Sequence, residues 1–418
     1  MAALSDNALG LYISIPFCRS KCTYCSFASG VYPASDHARY VDRLIQNLEA
    51  THAWADKLGL ELPRAVDTIF FGGGTPSLLA PELFERLFRA MRSQFEVHPD
   101  AEITIECAPG QISDETLAAF RTIGVNRVSM GVQSFINREA QGSGRLHSRA
   151  IVENDLARLR RSGIANINLD LIAGLAGQTH ASWDESLSAL IDTGVPHASV
   201  YMLEVDEDSR LGREMLLGGA RYHADLVPSD DAIAEMYTHA IERLAEVGIA
   251  QYEISNFSRP GFASRHNLRY WQRRPYLGLG LDASSMFLAA ADSPEDSYTL
   301  RSTTTSDLPA YLAAPEPPEI TWLSPARRHE EAWFLGLRLN RGVNAAQLKK
   351  EFGPELVARA MKVVASLKED GLLQSNGKTV RLTAQGQLLS NEVFQQFLGL
   401  DAVSQIEPAQ AESLCNRA

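Results

Sequence analysis

From Leu11 to Val247, short runs of apolar and β-branched residues alternate with longer stretches in which apolar residues return every three or four positions. The short runs predict strands over Leu11–Pro16, Val66–Phe71, Ala101–Glu106, Arg127–Val132, Ala165–Leu171 and His197–Leu203. The longer ones predict helices over His37–Leu58, Pro81–Phe95, Asp114–Thr122, Arg149–Ser162, Ala181–Thr193 and Asp230–Val247. Asp36, Ser113 and Ser229 stand where N-caps are needed, and Gly59, Gly124, Gly163, Gly194 and Gly248 stand where helices stop. Strand–helix units in series predict a parallel sheet with crossover helices. Polar or glycine-rich segments recur just past nearly every strand end. That habit favours an incomplete (β/α)6 barrel, which places ligands at all its βα loops, over an open doubly wound sheet with a single switch point.

Beyond residue 250 the rhythm breaks. Gln251–Phe287 is rich in aromatic, basic and glycine residues, and Ala290–Pro318, rich in Ser, Thr, Pro and Asp, reads as a loop or extended segment. Arg328–Leu398 is mainly helical, with a β-rich run at Thr379–Gly386 before its last helix, a pattern similar to a small winged-helix domain. The expected division is therefore a barrel over 1–250, a barrel extension over 251–325, a winged-helix-like domain over 326–400 and a flexible polar tail over 401–418.

Composition narrows the function classes. With 418 residues, 45% of them hydrophobic, the chain can bury a large core, and no apolar run is long enough to span a bilayer. Met1–Gly10 lacks the cationic start and apolar stretch of a signal peptide, so cytoplasmic residence is expected. A net charge of −12 argues against nucleic acid as a partner, and the Glu355–Glu369 helix carries only Arg359, Lys362 and Lys368 as cations. Five cysteines, three of them clustered, do not form the framework of a disulfide-stapled secreted protein.

Those three, Cys18, Cys22 and Cys25, follow the first strand at spacings of four and three. Such a loop can give three irons of a cubic iron–sulfur cluster one thiolate each and leave the fourth iron open. A structural zinc site is the competing reading, but it wants a fourth ligand, and no second close pair follows; Cys107 follows a strand-like run and Cys415 lies in the tail. Arg19 and Lys21 lie between the thiols, where they would favour thiolates or simply be solvated. Gly72-Gly-Gly-Thr-Pro76 lets a ligand approach the backbone closely, yet matches neither a Walker loop nor a dinucleotide fingerprint. Glu106 ends a strand, and Asp170 interrupts a strongly apolar one, where an ionised carboxylate is costly unless paired.

The cysteine triplet with Tyr24 before its last member, the Gly72–Pro76 turn and Glu106 together resemble the radical S-adenosylmethionine (SAM) superfamily. Finer matches resemble the oxygen-independent coproporphyrinogen III oxidase family, on its heme-chaperone branch. They are Leu11-Tyr-Ile-Ser-Ile-Pro-Phe-Cys18, Gly131-Val-Gln-Ser-Phe135, Arg145-Leu-His-Ser148, Asn168-Leu-Asp-Leu-Ile-Ala-Gly174, Tyr252-Glu-Ile-Ser-Asn-Phe257 and Arg265-His-Asn-Leu-Arg-Tyr-Trp271. The resemblance implies a [4Fe–4S] cluster on Cys18, Cys22 and Cys25, with SAM contacted by Tyr12, Tyr24, Gly73, Gly74, Thr75, Glu106, Gln133, Arg145 and Asp170. His266 lies in a motif that the branch associates with heme, as an iron ligand or as a residue shaping the pocket. The implied function is to bind heme and hand it to an apo-hemoprotein acceptor, soluble or membrane-associated; a homodimer is compatible with this, though no heptads support a count. The alternative is the decarboxylating oxidase, a radical enzyme giving protoporphyrinogen IX. The oxidase has a further cysteine where this chain has Phe27, and a longer arm ahead of its cluster. Two departures stand out: Gly174-Leu-Ala-Gly-Gln-Thr179 has Ala where the family has Pro, and Asp282-Ala-Ser-Ser285 places Ser284 where the family has His.

Overall fold

The computed structural model describes residues 8–60, 62–289, 297–313 and 317–400. Six strands, β1 (Leu9–Ile15), β2 (Ala65–Gly73), β3 (Glu96–Cys107), β4 (Arg127–Gln133), β5 (Asn166–Ala173) and β6 (His197–Met202), pair in parallel in chain order. Crossover helices separate them, five of which are Ala34–Lys57, Pro81–Gln94, Asp114–Ile123, Arg149–Arg161 and His180–Asp192. Strand residues alternate between two environments. Leu11, Ile13, Ile69, Phe71, Ile105, Val128, Met130, Leu169, Leu171 and Val200 are buried under the helices, against residues such as Leu44, Phe84, Phe120, Leu159 and Trp183. Each such side chain contributes about 1.5–3 kcal/mol, which fixes the register of every strand. The intervening positions, among them Tyr12, Thr68, Glu106, Arg127, Ser129, Asn168, Asp170, Ser199 and Tyr201, form the inner wall.

Ser113 and Ser229 cap their helices by accepting from the backbone N–H of Thr116 and Ala232, as their positions predict. Asp36 does not cap the first long helix. The helix starts earlier, after Pro33, whose fixed φ suits the entry, and Asp36 sits in its first turn.

The sheet does not close into a full barrel. On one side β6 pairs antiparallel with β8 (Asn256–Ser258), which pairs with β7 (Ala250–Glu253). On the other, β9 (Tyr276–Leu279) runs parallel to β1, followed by antiparallel β10 (Ser284–Leu288), β11 (Thr299–Thr303) and β12 (Glu319–Leu323). The described part of 290–318, expected to be a loop or extended segment, thus includes strand β11 and the short helix Leu308–Ala313. The tail from 401, with Cys415, lies outside the described residues.

Three helices, Pro325–Leu337, Ala345–Phe352 and Pro354–Glu369, pack with a small sheet of β13 (Val343–Asn344), β14 (Leu373–Ser375) and β15 (Thr379–Leu382). They enclose a second core in which Trp333 stacks on Phe397, ring centroids 5.2 Å apart. This is the helices-then-wing arrangement that the sequence pattern predicts. No helix among the described residues is long and apolar enough to cross a membrane.

Candidate functional site

β1 ends at Ile15, and Pro16 and Phe17 lead the chain into the cysteine loop. The loop is closed on itself by the Cys18 N–H donating to Gly30 O at 2.8 Å and the Gly30 N–H to Pro16 O at 2.9 Å. Lys21 turns away from the expected thiolate role: its Nζ donates to the carbonyls of Phe27 and Ser29 at 2.5 and 2.9 Å and holds the loop. Ser20 and Thr23 tie it to Gly144 O and Ser143 O, beside Arg145. The three thiols remain partly exposed, and burial raises the proton affinity of Cys18.

β2 delivers the glycine turn against this loop. A Cβ at Gly74 would lie 2.8 Å from Phe17 O and 3.0 Å from Cys18 Sγ, so no other residue fits there. Gly73 has a φ of 105° and donates its N–H to Glu106 Oε2 at 3.1 Å. Thr75, nearly buried, directs its hydroxyl at Cys18 Sγ over 3.9 Å. The turn is therefore both a tight βα connection and the floor beneath the cysteines.

The carboxylates come from β3 and β5. Glu106 is pushed up to about 8, chiefly by burial and then by the neighbouring Asp170 charge. Burial also raises Asp170, against hydrogen bonds that favour its charge, one of them from Asn168 Nδ2 at 2.6 Å. Arg145 donates from Nη2 and Nε to the Tyr24 hydroxyl at 2.8 and 3.2 Å. Burial opposes its charge, but Tyr24, Cys22 and Asp170 outweigh that and raise its proton affinity. Gln133 is held at a φ of 68°, unusual for a side-chain-bearing residue, and its buried Oε1 has no hydrogen-bond partner. A strained, orphaned amide at a strand end is a marker of a ligand site.

Cys18, Cys22, Cys25, Tyr24, Gly73, Gly74, Thr75, Glu106, Gln133, Arg145 and Asp170 all line one cavity of about 1000 Å³. Tyr12 and His266 do not. They line an adjoining chamber of about 200 Å³, which shares Glu106, Ser129, Asp170 and Tyr201 with the cavity. His266 is the second residue of the helix Arg265–Trp271 and is buried, stacked on Phe70; its Nδ1 is 2.9 Å from Thr68 Oγ1 and its Nε2 is 2.8 Å from the Tyr270 hydroxyl. Both ring nitrogens are thus engaged, and burial, then Arg269 and Arg127, lowers the ring to about 3. Ser284, in place of the family histidine, is exposed and bonds Thr303. Phe27 is 66% exposed on the cavity rim.

Among the described residues, no three His, Cys, Asp or Glu side chains converge to hold a single metal ion. A cubic cluster needs something else: three thiols presented around one opening, room beyond them, and a side-chain-free floor. Those are present, so the residues fit it. Arg127, Ser129, Asn168, Ser199 and Tyr201 were not singled out from the sequence. Their signal was there, since polar residues alternate with apolar ones over Arg127–Met130 of β4, Asn166–Leu171 of β5 and His197–Met202 of β6.

The sequence profile of the radical SAM superfamily matches residues 12–190, and that of the HemN C-terminal domain matches 323–389. The heme chaperone HemW of Bacillus subtilis (strain 168) is 34% identical over 394 residues, covering 93% of this chain and 98% of that protein. The chain belongs to the HemW family. The heme chaperone HemW of Lactococcus lactis subsp. lactis (strain IL1403) is 32% identical over 390 residues, 93% of this chain and 96% of the relative. Coproporphyrinogen III oxidase (HemN) from Escherichia coli, a radical SAM enzyme, superposes with a TM-score of 0.78 over 94% of this chain and 90% of its own, at 23% identity. That likeness speaks for the fold, which HemW-type and HemN-type chains share.

Proposed function

We propose that this chain is a heme chaperone of the HemW type. It carries a [4Fe–4S] cluster on Cys18, Cys22 and Cys25, takes SAM beside it, and passes heme to an apo-hemoprotein acceptor, within the cytoplasm. The observation that carries the cofactor half is the convergence of the three thiols, the glycine floor, Glu106, the orphaned Gln133 amide, Arg145 and Asp170 on one cavity of about 1000 Å³. Similarity to named heme chaperones along nearly the whole chain supports the cargo.

The residues supply complementary chemistry. Glu106, already accepting from Gly73, has lone pairs left for the amine of an amino acid. Arg145, fixed by Tyr24, is a charge-assisted donor for its carboxylate. In this reading Asp170 accepts from ribose hydroxyls, and the unpartnered Gln133 Oε1 accepts from a further donor of the ligand. When bound, the cluster supplies an open iron for chelation and a source of one electron. His266, with both nitrogens occupied, acts in this reading as a positioning residue that holds Tyr270 and the chamber wall rather than as an iron ligand.

An anaerobic heme titration of the cluster-reconstituted protein, followed by Soret absorbance, tests the proposal. Saturable uptake is expected, with His266→Ala keeping the wild-type ligation signature by electron paramagnetic resonance. Absence of uptake, together with carbon dioxide released stoichiometrically from coproporphyrinogen III, would establish the oxidase reading instead.

A further inference from the structure

Arg127 occupies the first position of β4 and is only 2% exposed. Its Nε has no hydrogen-bond partner, and among the described residues it takes part in no ion pair. A guanidinium withdrawn from water in this way is costly unless something anionic meets it. The head lines the chamber of about 200 Å³ behind Glu106 and Asp170. The polar groups around it are already committed: Glu106 to Gly73, Asp170 to Asn168, His266 to Thr68 and Tyr270, His197 to Asn168 and Tyr252. What the chamber offers is a buried guanidinium without an ion pair, which Glu106 and Asp170 feel only at longer range, as a charge that lowers their proton affinity.

Size says how much of a ligand enters. Whole-ligand pockets run from roughly 300 to 1,000 Å³. The large cavity reaches that range, whereas the chamber falls below it and is its inner end, since the two share walls. A short flexible arm fits; a macrocycle does not. We infer that Arg127 receives a carboxylate carried on such an arm, and, resting on the heme-chaperone reading, that this carboxylate is a propionate of the heme cargo. A guanidinium can take both oxygens in parallel hydrogen bonds, and Arg127, set in a strand, is held ready to do so.

The test compares heme with its dimethyl ester, in which both propionates are neutral, by anaerobic Soret titration of full-length, cluster-reconstituted protein. Wild type should bind heme at least about ten-fold more tightly than the ester. Arg127→Gln should lower heme affinity to that of the ester and leave ester affinity unchanged, with Arg127→Lys retaining part of the preference. Equal binding of the two pigments by wild type, or an equal weakening of both in the variant, would overturn the inference. Binding of neither pigment would strike the heme reading itself, and this inference with it. Circular dichroism reports whether Arg127→Gln folds; if it does not, the wild-type pair of titrations and Arg127→Lys decide.

Discussion

Glu106 illustrates how a residue can be tuned before any ligand arrives. Its carboxyl, pushed up to about 8 from 4.5 by burial and by Asp170, binds its proton more tightly in the folded chain than in the unfolded one. The folded state is therefore favoured below the unfolded value, and that advantage is lost as pH rises from 4.5 through about 8. Glu106→Gln removes this dependence. Calorimetry of the protein without ligand should show the variant gaining thermal stability relative to wild type as pH rises toward 8; a difference independent of pH would contradict the assignment. SAM binding should behave in the opposite sense. Wild-type affinity increases as Glu106 ionises, whereas the variant binds more weakly and without that rise. Glu106 and Asp170 were legible in the sequence because a carboxylate at the end of, or within, an apolar strand needs a reason. Arg127 was passed over although it begins the polar alternation of β4, because a charged residue opening a strand reads as a solvated end until the fold shows it facing inward.

At the scale of elements, the seven-residue helix Arg265–Trp271 is too short to persist by itself and depends on what holds its start. The Ser264 side chain accepts from the Asn267 N–H, and the buried carboxylate of Glu102 accepts the N–H of Arg265 at 3.1 Å and of His266 at 3.0 Å. Two charge-assisted bonds at the positive end of a helix are worth about 3 kcal/mol together. Glu102→Ala should lower stability by about that amount, and Glu102→Gln, which keeps an acceptor, by about half of it. Urea denaturation distinguishes the two, and identical losses would show that the carboxylate only fills space. This helix was visible in the sequence as an aromatic and basic anomaly, not as a helix, because its support comes from β3, more than 150 positions earlier. The six parallel strands were legible for the converse reason: each carries its own alternation of buried and inward-facing residues. Strands β7 to β12 are short, and they become strands only by adding to edges that the barrel provides.

Across the whole molecule, the winged domain is fastened to the barrel along β7 and the helix Arg265–Trp271. The Ile254 N–H donates to Arg338 O at 3.2 Å, the Asn340 N–H donates to Tyr252 O at 3.1 Å, and the Arg338 guanidinium stacks 4.3 Å from the Trp271 ring centroid. Arg273 meets Glu351 with two parallel hydrogen bonds of 2.7 and 2.8 Å, and this pair bridges the heme-motif region and the wing's helices. The same domain reaches the site, since Gln385, Leu388, Leu389 and Glu392 line the large cavity together with the cysteines. A looser seam is therefore expected to let solvent and oxygen reach the cysteines more readily. Half-buried ion pairs contribute modestly, about 1 kcal/mol here, so Arg273→Ala should leave the fold intact while loosening the seam. Hydrogen exchange should quicken at Arg338–Asn340, and the visible absorbance of reconstituted protein should fade faster in air than in wild type. Glu351→Ala, which also removes the longer contact to Arg328 at 3.7 Å, should do at least as much, and the double variant should lose less than the sum of the two single losses, because the Arg273–Glu351 pair is common to both. Additive losses would mean that the two residues act separately, and unchanged fading in all three would mean that access to the cysteines is governed by the barrel loops alone.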